Sequence, residues 1–230
     1  MDAHSEALAK NLIANDIAVT STLWLTESFV RQRYELDKVL CEVELEYENP
    51  GISEWVHYIP QGLGWLPEVN RYKIMGELSP AERIGDKKYW ETYGKACALL
   101  AENLSRHGVK IMAGTDTNLP PTVPGFSLHD ELISLNNAGM SQAEVLRAAT
   151  IVPAKWLKSN SGKIAVGYEA NLVLLEKNPL VDINNTKSIN TVIARGQVFD
   201  RHLLDTMLKA VKDANDNSRK VEIKKYTECH

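Results

Sequence analysis

Asp116 is the residue whose position most clearly suggests chemistry. It closes the sequence IMAGTD at 111–116, in which the apolar run from Val109 to Ala113 lies between two glycines and predicts a buried strand. A parallel strand buried on both faces has no room for an unpaired carboxylate, whereas an acid just beyond its carboxyl end reaches into a cleft. Asp116 is therefore the first candidate for catalysis. The plainer alternative is an Asp that only caps the turn after the strand.

The sequence after Asp116 predicts three helices in succession. The first opens at GFSLHDEL, 125–132, with Ser127 as its N-cap and acids in its first turn. Ser141 and Glu144 have the spacing of a capping box at the start of the second helix. Pro153 lies in the first turn of the third, where a missing backbone N–H costs nothing.

Upstream of Asp116 the pattern alternates between helices and strands. Ser5 to Ala14 predicts a helix capped by Ser5, Ile17 to Leu23 a strand, and Glu27 to Glu46 one long helix. Residues 52–79 lose any periodicity, and helix resumes at Ser79 to run as far as Arg106. Such alternation is typical of a parallel barrel or open sheet.

The last third of the chain follows a different pattern. Between Ile164 and Val198 short apolar runs alternate with turn residues, which predicts a small all-β lobe rather than further alternation. Arg201 to Asp213 predicts a final helix, and the polar tail from Asn215 to His230 is expected to fray.

Composition excludes several classes of protein. The 230 residues carry a net charge of −4, which leaves no electrostatic footprint for nucleic acid or an anionic membrane. No apolar run approaches the ~18 residues that span a bilayer, and the acidic N-terminal sequence MDAHSE does not predict a signal peptide. The compartment and the oligomeric state stay open. Three cysteines without metal-ligand spacing favour buried free thiols over a disulfide framework.

Taken in their order along the chain, the segments around Asp116 resemble the metal-dependent amidohydrolase superfamily, in its imidazolonepropionase-like and Xaa-Pro-dipeptidase-like branch. The resemblance is carried by AGTD, GFSLHDEL, NNAGMSQAEVLRAAT at 136–150 and VPAKWL at 152–157. It continues through GKIAVGYEANLVLL at 162–175 and ends at VIARGQV, 192–198. Each segment alone is weak, but their order makes the signal strong.

The resemblance implies an α/β fold with the C-terminal part of a TIM-type (β/α)8 barrel, its last two strands, plus part of a small β-sandwich lobe. Residues 1–160 would then be the partial barrel, 161–200 the lobe segment and 201–230 a C-terminal helix and polar tail. One or two divalent metals, often zinc, sit at the barrel mouth in this family. Asp116 matches the Asp at the end of the eighth strand, which is both a metal ligand and the base that takes a proton from the attacking water.

The sequence departs from the family in its other ligands. The family's His-x-His pair is absent from the sequence, whose six histidines are scattered, and one ligand cannot hold a zinc ion that needs three or four. The resemblance therefore implies that most ligands lie outside this chain, in a missing N-terminal barrel half. The implied substrate is a small-molecule amide or a dipeptide.

Several further side chains are weaker candidates. The family also has a His ligand on its sixth strand, but His4 is a poor substitute for it, since His4 lies at a helix start too near the seventh strand. His129 is expected to hydrogen-bond near the loop that carries Asp116 rather than to bind metal, and His57 to be an exposed loop residue. His107 is read as a cation at a helix end. Three aromatic residues of the irregular segment either line a substrate pocket or pack that segment against the barrel: Trp55, Tyr58 and Trp65.

Three functions remain in competition on sequence grounds. The first is a metal-dependent hydrolase of carbon–nitrogen bonds, represented by its C-terminal portion. The second is a catalytically inactive split or degenerate subunit, and the third is an independent α/β binding module. Two barrel strands alone leave sheet edges unpaired and apolar faces uncovered, which disfavours the third.

Overall fold

The computed structural model describes residues 2–54 and 64–228 as an α/β protein of many short elements. Between residues 2 and 114 these are α1 (Asp2–Ala14), β1 (Ala18–Ser21), α2 (Leu23–Tyr34), α3 (Leu36–Glu42), α4 (Pro50–Ser53), α5 (Arg71–Met75), α6 (Pro80–Arg106) and β2 (Lys110–Ala113). After residue 114 they are α7 (Ser127–Asn137), α8 (Gln142–Ala149), α9 (Ile151–Trp156), β3 (Leu172–Leu175), β4 (Ile189–Ala194), β5 (Gln197–Phe199), α10 (Arg201–Ser218) and α11 (Lys224–Thr227). Short 3-10 helices form at Leu45–Tyr47 and Ile183–Lys187. No helix within the described ranges is both long and apolar enough to cross a membrane.

The elements group into two compact units. The strand unit comprises Met1–Thr22, Cys97–Gly114 and Leu128–Met207, and so holds the five strands found among the described residues. The helical unit comprises Leu23–Ala96, Thr115–Ser127 and Leu208–His230. Each unit draws on separated segments of the chain, and the sequence-based domain boundaries at residues 160 and 200 stay predictions.

The first sheet of the strand unit pairs β1 with β2 in parallel, Val19 opposite Ile111 and Ser21 opposite Ala113. This confirms the predicted parallel pairing. The expectation that β2 is buried on both faces was wrong, because Val109 and Ile111 are buried while Lys110 is exposed and Met112 and Ala113 are half-buried. Among the described residues β2 pairs with β1 alone, so one of its edges is not covered by another strand.

The second sheet of the strand unit is the predicted β lobe. Strands β3, β4 and β5 lie in that order and pair antiparallel. Arg195 and Gly196 connect β4 to β5 with φ values of 52° and 79°, the positive values that a tight two-residue hairpin turn requires. A residue without a Cβ is therefore needed at least at the second position.

One long helix from Glu27 to Glu46 was predicted wrongly. Helix α2 already begins at Leu23 and ends at Tyr34, and Glu35 leaves the helical conformation with φ −142° and ψ 35° before α3 begins. Thr26 does not cap α2, since its hydroxyl donates to the Leu23 carbonyl at 2.9 Å within the helix. After the break, α3 buries Leu36 and Leu40 in a core against which Trp24 of α2 also packs.

That core lies in the helical unit and accounts for two further observations. Trp65 is fully buried there, so it packs the core rather than lining a pocket. Ile223 and Tyr226 of the tail are buried in the same core, and α10 continues to Ser218, so the predicted fraying of the tail was wrong. The full cluster consists of Leu36, Leu40, Val43, Leu45, Trp65, Leu66, Val123, Ile223 and Tyr226. Trp55, His57 and Tyr58 lie outside the described residues.

Two helix starts also differ from the prediction. Ser5 is buried inside α1, which begins at Asp2, and the helix buries Ala9 while Leu8 is 41% exposed. Ser127 does not cap α7 but is its first residue, with a buried hydroxyl that donates to the Val123 carbonyl at 2.9 Å.

The structure also tests the predictions for two helices and for the cysteines. The capping box joins Ser141 and Glu144 at the start of α8. Helix α6 runs unbroken through Gly85 as far as Arg106 and buries Leu104, while Leu99 and Leu100 are each 37% exposed. Among the described cysteines, Cys97 is a half-buried free thiol, whereas Cys41 is disulfide-bonded, so the expectation of buried free thiols was wrong for Cys41.

Candidate active-site loop

The loop that carries Asp116 leaves β2 through Gly114, where only glycine fits. The Gly114 N–H donates to the Ser21 carbonyl at 2.9 Å. A Cβ added to Gly114 would lie 2.9 Å from that same oxygen and would collide with Cγ2 of Thr20. The glycine of AGTD is thus explained by the close approach of the two strand ends.

Asp116 combines an anchored backbone with an exposed side chain. Its carbonyl accepts hydrogen bonds from the Thr122 hydroxyl at 3.1 Å and from the Leu119 N–H at 3.4 Å. Its φ of 52° lies in the left-handed region, which Asp tolerates better than most residues. The carboxylate is exposed, and within residues 2–54 and 64–228 no hydrogen bond or ion pair engages it. The Asn118 N–H, which a turn-capping Asp would bind, donates instead to the Thr122 carbonyl at 3.4 Å.

A chain of buried polar side chains holds the middle of the loop. The Gln32 amide on α2 donates to the Pro120 carbonyl at 2.7 Å, and the Asn70 amide donates to the Gln32 side-chain oxygen at 3.0 Å. Asn70 also caps α5, because its side-chain oxygen accepts from the Lys73 N–H at 2.9 Å. Gln32 and Asn70 are both fully buried, so each hydrogen bond offsets a desolvation penalty that would otherwise remain. Sequence reasoning missed both residues, since Gln32 interrupts an apolar face and Asn70 lies in the irregular segment.

The negative charge of Asp116 affects the pKa of Tyr72 on α5. Burial raises the pKa of the Tyr72 hydroxyl, the positive charge of Arg71 opposes that rise, and the negative charge of Asp116 adds to it. Asp116 and Tyr72 are therefore electrostatic neighbours within the helical unit.

Tyr72 belongs to a group of five aromatic side chains, here called the aromatic cluster: Phe29, Tyr72, Tyr89, Trp90 and Tyr93. Phe29 is its centre, stacked on Tyr72 at 4.7 Å between ring centroids and meeting Trp90 edge-on at 5.3 Å. Both geometries are favoured for aromatic pairs. Tyr93 and Tyr89 form the outer part of the cluster and are 40% and 61% exposed.

A partly buried ion pair links α6 to α2 beside this cluster. The Arg33 guanidinium donates to both carboxylate oxygens of Asp86, at 2.7 and 2.8 Å, and the Tyr34 hydroxyl donates to Asp86 as well. Burial opposes ionisation of Asp86, but these hydrogen bonds outweigh it and hold the pKa of its carboxyl below the ordinary value. Bidentate geometry of this kind restricts both partners to one arrangement.

Residues 91–199 match the amidohydrolase family. That segment of the chain is an amidohydrolase-family domain. It contains β2, Asp116, the three helices α7 to α9 and the β lobe, and it confirms the family resemblance that the sequence motifs indicated.

Individual relatives agree with this family. Ochratoxinase of Aspergillus niger is 32% identical over 125 residues, which are 47% of this chain and 24% of ochratoxinase. The structure of bottromycin amidohydrolase superposes with a TM-score of 0.65 at 22% identity, over 86% of this chain and 40% of that one. A Xaa-Pro dipeptidase with bound methionine superposes with a TM-score of 0.52 at 19% identity, over 84% and 36%. The two structures show the fold, and the chain spans well under half the length of the proteins it matches.

Three of the histidines weighed from the sequence lie among the described residues. His129 was expected near the Asp116 loop, but its Nδ1 lies 3.0 Å from the Thr186 hydroxyl in the strand unit. Burial, followed by the positive charge of Lys187, lowers the pKa of His129, so its neutral form is favoured. His4 is exposed on α1, and His107 is exposed after the end of α6.

The side chains at hand do not fit the metal that is general in the amidohydrolase family. Within the part of the chain that the structure describes, no group of three or more His, Cys, Asp and Glu side chains converges in a way that could hold a metal ion. A zinc site needs three or four protein ligands. Asp116, which the sequence resemblance predicts to be a metal ligand, is alone insufficient.

Proposed function

We propose that this chain forms the C-terminal part of a hydrolase that cleaves carbon–nitrogen bonds in small-molecule amides or dipeptides. The observation that supports this most directly is Asp116. Its backbone is held in the left-handed region by Thr122 and Leu119 while its carboxylate faces solvent without a partner among the described residues. An acid in that state is available to a reactant.

In the proposed reaction Asp116 is the general base. Its carboxylate accepts a hydrogen bond from a water molecule and takes the proton as the water oxygen attacks the amide carbon. The same proton can then pass to the leaving nitrogen. Gln32, Asn70 and Thr122 are positioning residues, since Thr122 binds the Asp116 carbonyl and Gln32, held by Asn70, binds the Pro120 carbonyl farther along the loop.

The proposal includes a partner, the N-terminal half of a TIM-type (β/α)8 barrel. In this proposal β1 and β2 are the last two barrel strands, and β3 to β5 are part of the β-sandwich lobe. Support comes from the parallel pairing of β1 with β2 and from exposed apolar side chains on α1 and the lobe, such as Ile13, Leu174 and Val198. The divalent metal, zinc by family resemblance, would take most of its ligands from that half, because the described residues do not form such a site.

A second candidate function is a catalytically inactive split or degenerate subunit. The lack of a metal-ligand group among residues 2–54 and 64–228 favours it. The two candidates differ in what addition of the N-terminal half should do: it should create activity in the first case and leave none in the second.

The test uses the complete protein, or this chain supplied with the N-terminal barrel half in trans. Turnover is measured on a panel of dipeptides and cyclic amides, with bound metal determined on the same samples. We expect hydrolysis with bound metal, and we expect Asp116→Asn to reduce kcat by about 100- to 10,000-fold while substrate affinity changes less. Asp37→Asn, at an exposed acid on α3, is the matched control and should turn over like the unmodified protein.

Two outcomes would count against the proposal. Near-normal turnover of the Asp116→Asn protein would remove Asp116 from the mechanism. Absence of hydrolysis across the panel in a well-folded, metal-loaded complex would favour the inactive subunit. The N-terminal half should also improve the solubility of this chain, since its exposed sheet edges would then be covered.

A further inference from the structure

We propose that the strand unit carries a second binding site, which takes a mononucleotide, a phosphate joined to a planar ring. The site is a cavity of about 470 Å³, here called the basic cavity. Its volume lies within the range of ~300–1,000 Å³ that is usual for small-molecule sites. The side chains that define it are Asp16, Lys110, Arg147, Lys155, Trp156 and Lys158.

The basic cavity lies at the amino end of the parallel pair β1 and β2. Lys110 is the first residue of β2, and Asp16 precedes β1 by two residues. Asp116 follows the carboxyl end of β2 in the sequence, and none of the loop residues 115–127 lines the cavity. The inference therefore goes beyond the proposed hydrolysis and does not depend on it.

The charge of the cavity selects an anion. Four of its side chains are cations and one is an acid, which gives a net charge of +3 in a chain whose net charge is −4. Lys110 is paired with Asp16. Within residues 2–54 and 64–228 no ion pair engages the other three cations, Arg147, Lys155 and Lys158. A phosphate group suits such donors, since it offers three acceptor oxygens and up to two negative charges.

Helix ends account for only part of this arrangement. Arg147 and Lys155 lie in the last turns of α8 and α9, where a cation also compensates the helix dipole. Lys158 lies beyond α9 and has a φ of 55°, in the left-handed region where glycine is the least strained residue. A lysine at that position adds a charge to the cavity although the backbone conformation disfavours it. Dipole compensation does not explain why these cations surround one cavity.

Trp156 provides a surface for the planar ring. It is 43% exposed and forms part of the wall of the cavity, next to the apolar side chain of Val152. The Nζ atom of Lys110 lies 5.9 Å from the centroid of the Trp156 ring, so the ring and the charges are neighbours. A base that stacks on an aromatic side chain gains affinity without hydrogen bonds to its edges. The cavity therefore favours a nucleotide over inorganic phosphate.

The test is calorimetric titration of the complete protein with AMP, adenosine and inorganic phosphate. We expect saturable binding of AMP and at least about tenfold weaker binding of the other two, since each keeps only one part of the contacts. Trp156→Ala should weaken the binding of AMP about tenfold and leave that of phosphate unchanged, whereas Trp156→Phe should keep most of the affinity for AMP. Lys155→Gln should weaken the binding of both AMP and phosphate about tenfold.

The matched control is Lys177→Gln, which removes the same charge at an exposed lysine after β3, outside the cavity. It should bind AMP like the unmodified protein, and thermal melting should show that all variants are folded. Equal losses of affinity in Lys155→Gln and Lys177→Gln would overturn the proposal, because they would indicate a general attraction of anions to the protein.

Three further results would also overturn it. Equal affinities for AMP and adenosine would show that the cations bind no phosphate. Equal affinities for AMP and phosphate would show that Trp156 stacks with no ring. Failure of AMP to bind, together with a lower melting temperature of Lys155→Gln, would identify the cations as stabilisers of the helix ends. Since the titration needs no turnover, its result stands whether or not Asp116 proves catalytic.

Discussion

The Asp116 loop and the C-terminal tail use buried polar side chains in opposite ways. In the loop, Gln32 and Asn70 are buried so that the backbone is held while the acid stays exposed. In the tail, the guanidinium of Arg219 binds the carbonyls of Leu45 and Glu46, each at 3.1 Å, and the acid beside this clamp is buried. That acid, Glu48, is fully buried. In the loop, the hydrogen bonds hold the backbone and leave the carboxylate of Asp116 exposed. Beside the tail, the carboxyl of Glu48 is itself buried in the protein interior.

The difference is visible in the protonation of the buried acid. Burial raises the pKa of Glu48 to about 7, against the opposing effects of the Asn49 N–H and of the positive charge of Arg219. Asp86 is only partly buried, and the hydrogen bonds from Arg33 and Tyr34 keep the pKa of its carboxyl low. The comparison teaches that deep burial raises the pKa of a carboxyl, and that direct hydrogen bonds from a guanidinium and a hydroxyl lower it.

The largest effect is expected from Arg219→Ala. This change removes the hydrogen bonds to the two carbonyls and leaves Glu54, whose side chain is 8% exposed and 3.5 Å from Arg219, without its ion pair. Loss of one partner from a buried pair costs about 3–5 kcal/mol. Urea unfolding of the complete protein should show this loss, with exposed Lys220→Ala as the control. A change below about 1 kcal/mol would mean that the clamp does not hold the tail.

A smaller effect, with a defined pH dependence, is expected from Glu48→Gln. The folded state keeps the Glu48 proton to a higher pH than the unfolded state. The contribution of Glu48 to stability is therefore complete below about pH 4.5 and is lost as the pH rises through about 7. At pH 8 the glutamine variant should be more stable than the unmodified protein by up to about 3 kcal/mol.

The measurement is the free energy of unfolding at pH 5 and at pH 8. The advantage of Glu48→Gln should be larger at pH 8, while Glu222→Gln, at an exposed acid of the same tail, should show little difference between the two. An advantage that is equal at both pH values would show that Glu48 is charged in the folded protein.

The smallest of these effects on stability is expected from Gln32→Leu in the loop. It leaves the Pro120 carbonyl and the Asn70 amide without their hydrogen bonds, at a cost of about 1–3 kcal/mol. Hydrogen exchange should accelerate at the amides of residues 115–127, and turnover should fall while the tail stays protected. Unchanged exchange in that segment would show that Thr122 and Leu119 suffice to hold Asp116.

Patterns of short range made much of the fold predictable. The parallel pair β1 and β2, the capping box of α8 and the β lobe all follow from apolar periodicity and turn residues a few positions apart. The same patterns failed at Glu35, where the apolar stripe runs on but the helix does not, because the core that receives Leu36 and Leu40 includes Trp65, Val123 and Tyr226 from distant segments. The spacing of apolar residues shows that one face of a helix is apolar, but it does not show which other segment packs against that face.

The sequence by itself determined the resemblance to the amidohydrolase family and the position of Asp116 just beyond a strand. These depend on residue type and order along a short stretch. Only the tertiary structure decided how the loop is held, since Gln32 meets Pro120 across 88 residues and Asn70 across 38. It also decided the aromatic cluster and the protonation of Glu48. These depend on burial and on distances between remote segments, which become defined only when the chain has packed.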